Sequence, residues 1–419
     1  MQVLDAAGAR RPLWPGSRYT EHDRDRAVER GVQFIYRVAS DPKAFVSWGH
    51  DLLWCFYTIS ATAKNRRLRD MARRMGHERA LQWRVDHPQP PENAGALSDF
   101  VFGTDAANRL GVPEGPPMHE RVERAVARFT AEDFLDFTPT KEPPPADVPD
   151  ACPKDGYQNP RGATRCEKCG TPLTFESRYE VWMDALISTY TAEIYGVNFG
   201  ASYDDVLRWI RVMRPYASHA KDNPAEAGPI VYAITHVIYT LNDYGHYRLS
   251  RAWLPQEFEY LKNHLAATAR DNDAETLGEF MDTLRAFGMS ENDALIRTGV
   301  EYQLSHQNPD GSWGDIKDAN IYTRYHSTWT AVDGLREYRF EGERLRRPEL
   351  MAIIRPPARS YKTSRTSPSR RVTCSRSRNS SSGMAYLREM PVHSLNSGTA
   401  KRRPLYLASR PRRDSTAEE

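Results

Sequence analysis

The chain is short of three features: long apolar runs, cysteines and β-strand patterns. No stretch of about 18 apolar residues is free of charges, and the mean hydropathy is −0.70, so we predict no transmembrane segment. Residues 1–10 lack the charged-then-apolar layout of a secretory signal, and we therefore expect a cytoplasmic protein. Five cysteines in 419 residues are too few for a disulfide framework.

Hydrophobic residues recur at helical spacing along most of the chain, which predicts an all-α fold. Amphipathic outer helices alternate with aromatic, largely apolar inner helices, at about 30 to 50 residues per pair. This alternation is typical of stacked helical hairpins, whose inner helices surround a cavity if the array closes. The predicted outer helices include 203–214, 255–270 and 291–307, and the inner ones include 44–62, 178–195, 228–244 and 323–338. Further helices are predicted at 22–39, 64–84, 118–135 and 274–287.

One segment resembles a known repeat. Residues 297–313 read RTGVEYQLSHQNPDGSW and resemble the QW repeat of squalene and oxidosqualene cyclases, with Gln307 and Trp313 at the defining positions. Residues 326–335 resemble the inner helix that follows this repeat in terpenoid cyclases and protein prenyltransferases. The resemblance implies an α/α toroid of about five helical hairpins over residues 22–345. In that superfamily the Gln ends an outer helix and the Trp covers the turn into the next inner helix.

The same resemblance implies an enzyme that binds a small, largely apolar, isoprenoid-like substrate in its central cavity. Aromatic walls in terpenoid cyclases stabilise carbocations through their π-faces. The sequence contains neither the Asp-x-Asp-Asp acid of class II cyclases nor the Asp-Asp-x-x-Asp motif of class I synthases. Any acid in the cavity therefore has to come from other residues.

Isolated polar residues on the predicted inner helices are the candidates for that role. Burying a charge in an apolar wall costs several kcal/mol unless it is paired or ligated. Three interpretations remain open: a divalent-metal site, a general acid and base, or side chains satisfied by local partners. The predicted catalytic residues are His50, Asp51, Asp184, His236 and His326, and Glu279, Asp282 and Asp333 have the same placement.

Three of the cysteines cluster in an insertion over residues 150–174. The pattern Cys152-x-x-Asp155-Gly and Cys166-x-x-Cys169-Gly resembles a zinc ribbon with one of its four cysteines replaced by Asp155. Thiolates and carboxylates both bind Zn²⁺, so three thiolates and one carboxylate predict a structural zinc site weaker than one of four thiolates. A ribbon that no longer binds metal is the alternative.

Residues 355–419 carry 15 basic and 4 acidic side chains, whereas the rest of the chain carries 43 basic and 51 acidic ones. Arg, Ser, Thr and Pro dominate this tail and predict disorder. We assign it no function and expect no nucleic-acid partner. A second hypothesis for the whole protein is a non-catalytic toroid scaffold, whose ribbon contacts a protein or nucleic-acid partner.

Overall fold

The computed structural model describes residues 12–355, and these residues are helical, with isolated β-bridges and no β-strand among them. The predicted all-α class is therefore confirmed for this part of the chain, and the tail predicted over 355–419 lies outside it except for Arg355. The helices are α1 (Glu21–Ser40), α2 (Pro42–Thr62), α3 (Arg66–Asp86), α4 (Ala94–Arg109), α5 (Pro116–Val126), α6 (Ala131–Leu135), α7 (Arg178–Tyr195), α8 (Tyr203–Leu207), α9 (Ile210–Met213), α10 (Tyr216–Asp222), α11 (Ala227–Leu241), α12 (Pro255–Arg270), α13 (Ala274–Ala286), α14 (Ala294–His306), α15 (Ile321–Leu335) and α16 (Met351–Ile354), with short 3-10 turns at Pro224–Glu226 and Pro348–Leu350.

The largely apolar helices contact one another in a closed cycle. Helix α2 packs on α4, α4 on α7, α7 on α11, α11 on α13, α13 on α15, and α15 on α2. The other long helices pack against this cycle: α1 on α15 and α2, α3 on α2 and α4, α12 on α13, and α14 on α13 and α15. Side chains of the cycle that point toward its middle are therefore brought near one another.

The structure differs from the sequence prediction at several places, among them the helix predicted over 203–214, which is the two short helices α8 and α9. Helix α4 was not predicted, because small residues and two glycines, Gly95 and Gly103, interrupt its apolar pattern. Gly103 is needed there, since a Cβ would lie 2.4 Å from the Trp83 ring. The helix predicted over 118–135 is instead two helices, because Thr130 and Asp133 form a capping box that starts α6.

The QW-like segment ties the end of the helical array to its beginning. Gln307 caps the C-terminus of α14, and its amide donates hydrogen bonds to the carbonyls of Ala27 on α1 at 2.8 Å and Gly311 at 3.0 Å. Trp313 is fully buried, and its indole N–H donates to the Gln303 carbonyl at 2.8 Å. Gly311 has φ 92°, and a Cβ there would lie 2.6 Å from the Arg30 carbonyl oxygen, so only glycine fits. These contacts join α14 to α1.

Helices α13 and α15 approach closely at Gly278, where a Cβ would lie 2.5 Å from the carbonyl of Thr330. We expect Gly278→Ala to lower the free energy of unfolding by about 1 to 3 kcal/mol, because the helices must separate to admit the methyl group. Gly228→Ala on α11 is the matched control, since a Cβ there meets nothing within 4 Å. Urea unfolding of both variants measures the difference, and equal effects would contradict the close approach.

Candidate functional site

A cavity of about 40 Å³, which we call the central cavity, is lined by side chains of four helices of the cycle, α2, α11, α13 and α15, and of the segments after α11 and α15. Because a water molecule needs roughly 10–15 Å³ of such space, the cavity has room for about three waters or a small ligand. Its polar lining includes His236, Glu279 and His326, and its aromatic lining includes Tyr239, Tyr244 and Trp329. Two predicted catalytic residues, His236 and His326, thus meet here.

His326 on α15 is held beside two carboxyl groups of α13. Its Nδ1 lies 3.2 Å from Oε1 of Glu275. Burial opposes protonation, but the negative charge of Glu275 and its hydrogen bond outweigh it and raise the pKa of His326 to about 9. His326 is therefore an imidazolium at neutral pH.

Glu279 lies one helical turn after Glu275 and is 1% exposed. The Thr235 hydroxyl donates a hydrogen bond to its Oε2 at 2.8 Å. Burial raises the pKa of Glu279 to about 8, even though the charge of His326 opposes the shift. Glu279 is therefore mostly a protonated carboxylic acid at neutral pH, and it faces the cavity as a proton donor.

His236 on α11 is the neutral partner of these groups. Its Nδ1 lies 2.8 Å from the Tyr232 carbonyl, which can only accept, so the ring proton is on Nδ1 and the lone pair is on Nε2. Burial lowers the pKa of His236 to about 4. The cavity therefore combines a neutral imidazole, an imidazolium and a carboxylic acid.

Asp51 on α2 adjoins this group without lining the cavity. The Tyr325 hydroxyl donates a hydrogen bond to Oδ2 of Asp51, whereas its Oδ1 has no hydrogen-bond partner among the described residues. Burial raises the pKa of Asp51 to about 6, and the nearby charge of His326 limits the shift. Asp51 thus belongs to the same electrostatic cluster as His326.

The two other predicted catalytic residues lie elsewhere. His50 packs on the Phe102 ring of α4, with its Nε2 3.7 Å from Oδ1 of Asp99, and burial lowers its pKa to about 3. Asp184 is half-buried on α7 and does not belong to the cavity lining. Both lie on helices of the cycle, yet the structure does not bring either into the cavity lining.

Sequence reasoning missed Glu275 and Arg336. Glu275, Glu279 and Asp282 are spaced at one and two helical turns, a periodicity that was visible in the sequence. Arg336 was not found in this way, because it follows the last residue of α15 and one of its partners, Thr62, comes from the distant helix α2. Its Nη1 donates to the Thr62 hydroxyl at 2.9 Å.

The raised pKa values of this cluster predict how folding stability depends on pH. A group whose pKa is higher in the folded than in the unfolded state contributes stability that is lost as pH rises through the folded value. Glu279 and His326, with folded pKa values of about 8 and 9, act in this direction above pH 6, whereas the loss from Asp51, whose folded pKa is about 6, lies below that pH. We expect the free energy of unfolding to fall between pH 6 and pH 9.

Glu279→Gln should reduce this fall in the free energy of unfolding by roughly 2 kcal/mol. Each pH unit over which the Glu279 carboxyl is ionised only in the unfolded state contributes about 1.4 kcal/mol. Glu259→Gln is the matched control, because that side chain is 53% exposed. Urea titrations of the three proteins at pH 6 and pH 9 measure the difference. A pH dependence unchanged by Glu279→Gln would contradict the buried carboxylic acid.

The cysteine cluster forms two similar turns in the insertion between α6 and α7. In each turn the glycine N–H donates to the carbonyl of the first cysteine at 2.8 Å, from Gly156 to Cys152 and from Gly170 to Cys166. The first cysteine N–H donates onward, to the Tyr157 carbonyl at 2.9 Å in one turn and to the Thr171 carbonyl at 2.8 Å in the other. Both glycines have positive φ, at 73° and 71°. The predicted pair of knuckles is present.

The four predicted ligands converge. One ligand atom from each of Cys152, Asp155, Cys166 and Cys169 lies within 4.8 Å of all the others, and the Sγ atoms of Cys152 and Cys169 are 3.4 Å apart. Ligand atoms around a tetrahedral zinc lie about 3.5 to 4 Å apart. The donor set and its spacing therefore fit a zinc ion, and none of these cysteines forms a disulfide.

Among residues 12–355, this is the only group of three or more His, Cys, Asp or Glu side chains close enough to share a metal ion. The central His and acid residues do not form a second such group in this part of the chain. In the same part of the chain, no helix is both long and apolar enough to cross a membrane. No family model, curated protein or solved structure matches this chain.

Proposed function

We propose that the protein is a terpenoid-cyclase-like enzyme that acts by general acid–base catalysis on a small, largely apolar substrate in the central cavity. The observation that carries this proposal is Glu279, a buried carboxylic acid that lines the cavity beside His326. A protonated acid in a water-poor site can donate to an alkene, epoxide or similar neutral group, and the neutral His236 can accept the proton that a cationic intermediate loses.

The proposed architecture is an α/α toroid, and two findings support it. The helix contacts form a closed cycle, and the QW-like segment joins α14 to α1. The sequence predicted about five helical hairpins. The proposed toroid has six inner helices, because α4 was not among the predicted helices.

Aromatic and acidic side chains of the cavity favour a cationic intermediate. The π-faces of Tyr239, Tyr244 and Trp329 line the cavity together with the carboxyl groups of Asp282 and Asp333. Such faces attract organic cations within about 6 Å of the ring centre. The cavity as it stands suits a ligand of a few heavy atoms.

Trimethylammonium is a suitable probe of this chemistry, with tert-butanol as the neutral compound of similar size. We expect the cation to bind more tightly, because the aromatic rings and the carboxyl groups of Glu279, Asp282 and Asp333 outnumber the two positively charged side chains of the lining, His326 and Arg336. Its arrival next to Glu279 should expel that residue's proton at pH 7. Calorimetry in buffers of different ionisation enthalpy measures the protons released, which we expect to approach one per bound cation.

Glu279→Gln should still bind trimethylammonium but release almost no proton, whereas the exposed Glu259→Gln should behave as wild type. Failure of the wild type to prefer the cation would refute the proposed cavity chemistry. Equal proton release in wild type and Glu279→Gln would refute Glu279 as the acid.

We further propose that the cysteine–aspartate cluster holds a structural zinc ion. The observation that supports it is the convergence of three thiols and one carboxylate on one point. A scaffold function is the second candidate, because the ribbon is a surface module. Phe175, which follows it in the chain, is 41% exposed. A cavity that binds no ligand, together with a ribbon that captures a partner protein, would favour the scaffold.

A further inference from the structure

A second, larger cavity lies next to the central one. It measures about 270 Å³ and lies between the start of α1, the start of α3 and the residues that follow α15. We call it the outer cleft. Its lining combines the apolar Val28 and Leu68 with charged side chains that include Arg24, Lys64 and Glu337. Nothing in the acid–base chemistry of the central cavity uses this space.

Arg336 lines both cavities. The two residues that follow Arg336 line different spaces: Glu337 lines the outer cleft, and Tyr338 lines the central cavity. The end of α2 gives the same order: Thr58 lines the central cavity, Thr62 contacts Arg336, and Lys64 lines the outer cleft. At a rise of about 1.5 Å per residue, only about 6 Å of helix separates Thr58 from Thr62.

The Arg336 side chain is only 2% exposed and is held on three sides. Its Nε lies 2.5 Å from Oδ1 of Asp333, its Nη1 donates to the Thr62 hydroxyl at 2.9 Å, and its guanidinium lies 3.8 Å from the centre of the Tyr338 ring. These contacts join α15, α2 and the segment after α15. Among residues 12–355, Arg336 alone lines both spaces.

We propose that the outer cleft and the central cavity form one ligand path, which Arg336 divides, and that Arg336 thereby limits the length of the ligand that the central cavity accepts. An elongated apolar ligand with its reactive end at Glu279 would have to pass the Arg336 position to extend into the outer cleft. Replacing Arg336 by a small residue should join the two spaces into one.

Chemical labelling tests the path without any natural ligand. Thr58→Cys, made in a Cys55→Ala background, places a thiol in the central cavity beside the proposed division. Its reaction with 2-aminoethyl methanethiosulfonate is followed by mass spectrometry of the peptide that contains residue 58. We expect the reaction to become at least tenfold faster in Arg336→Ala/Asp333→Asn, which removes the dividing side chain and also its buried counter-charge.

Lys64→Ala is the control, because it leaves Arg336 and its three contacts intact, and it should react at the unaltered rate. Asp333→Asn alone, which keeps the Arg336 side chain but removes its counter-charge, should react more slowly than the double variant. Arg336→Gln, which is shorter but keeps a donor toward Thr62, is a second opened variant if the first does not fold by circular dichroism. If the opened variants are labelled no faster than the protein that keeps Arg336, the proposed division is wrong.

The limit on ligand length rests on the proposed function, and n-alkyldimethylamines from methyl to octyl test it. In wild type, we expect the affinity to fall once the alkyl chain of the ligand is longer than the central cavity. In the opened variant, we expect the affinity to stay within threefold, or to rise with each added methylene. If trimethylamine itself does not bind wild type, the proposed function fails, while the labelling result still decides the path. Identical length profiles in both proteins would overturn the role of Arg336 in selecting length.

Discussion

Purified protein is expected to contain one zinc ion per chain, and the Cys166→Ser/Cys169→Ser variant none. Three thiols and the Asp155 carboxylate lie within 4.8 Å of one another, and a site that keeps one carboxylate and one thiol cannot retain zinc against dilution. Elemental mass spectrometry after gel filtration measures the metal. The expected change is complete loss, because the variant removes two of the four ligands.

Two further variants make this result specific. His236→Ala/His326→Ala should keep the zinc ion, since neither residue belongs to the cluster. Asp155→Cys should bind zinc more tightly than wild type, because a fourth thiolate replaces a harder carboxylate ligand. Zinc that persists in the double cysteine variant, or a wild type without zinc, would show that the ribbon does not bind this metal. Metal that leaves only with the histidines would instead locate it in the central cavity.

Trp313→Ala is expected to lower the free energy of unfolding by about 3 to 5 kcal/mol. The indole is fully buried and packs close to Gly31 on α1. A Cβ added at Gly31 would lie 2.9 Å from the indole ring. The substitution leaves a large cavity at the junction between the last helices and the first, and it also removes the hydrogen bond to Gln303. Urea unfolding measures the effect.

Trp253→Ala is the matched control for this substitution, because Trp253 is half-buried and packs at the edge of the core. Its cost should be clearly smaller than that of Trp313→Ala. Trp313→Phe should fall between wild type and Trp313→Ala, since it restores most of the apolar volume without the N–H donor. If Trp313→Ala and Trp253→Ala lower the free energy of unfolding equally, Trp313 does not stabilise the junction between α14 and α1 more than an ordinary residue at the edge of the core.

The helical class could be predicted from sequence because hydrophobic periodicity is a local property. Helices such as α12 follow from apolar spacing within a single segment, and the prediction over 255–270 matches the structure. Helix α4 could not be predicted in this way, since its glycines weaken the local signal and Trp83 from another helix supplies the reason for Gly103.

The cysteine cluster was predicted from sequence because its ligands lie close together in the chain. Two short knuckles with glycines after them fix the position of every ligand, so the spacing of Cys152, Asp155, Cys166 and Cys169 already contained the geometry. The central cavity was different. The sequence indicated which helices carry His and acid residues, but the orientation of each side chain depends on how distant helices pack.

The sequence by itself therefore determined the helical class, the ribbon and the presence of polar residues on apolar helices. The tertiary structure alone decided that His236, Glu279 and His326 meet at one cavity, and that His50 faces α4 instead. It also decided the protonation states, because burial and neighbouring charge shift the pKa of Glu279 and His326 in ways that no local pattern records. Chemistry that depends on the field of distant residues exists only once the chain has folded.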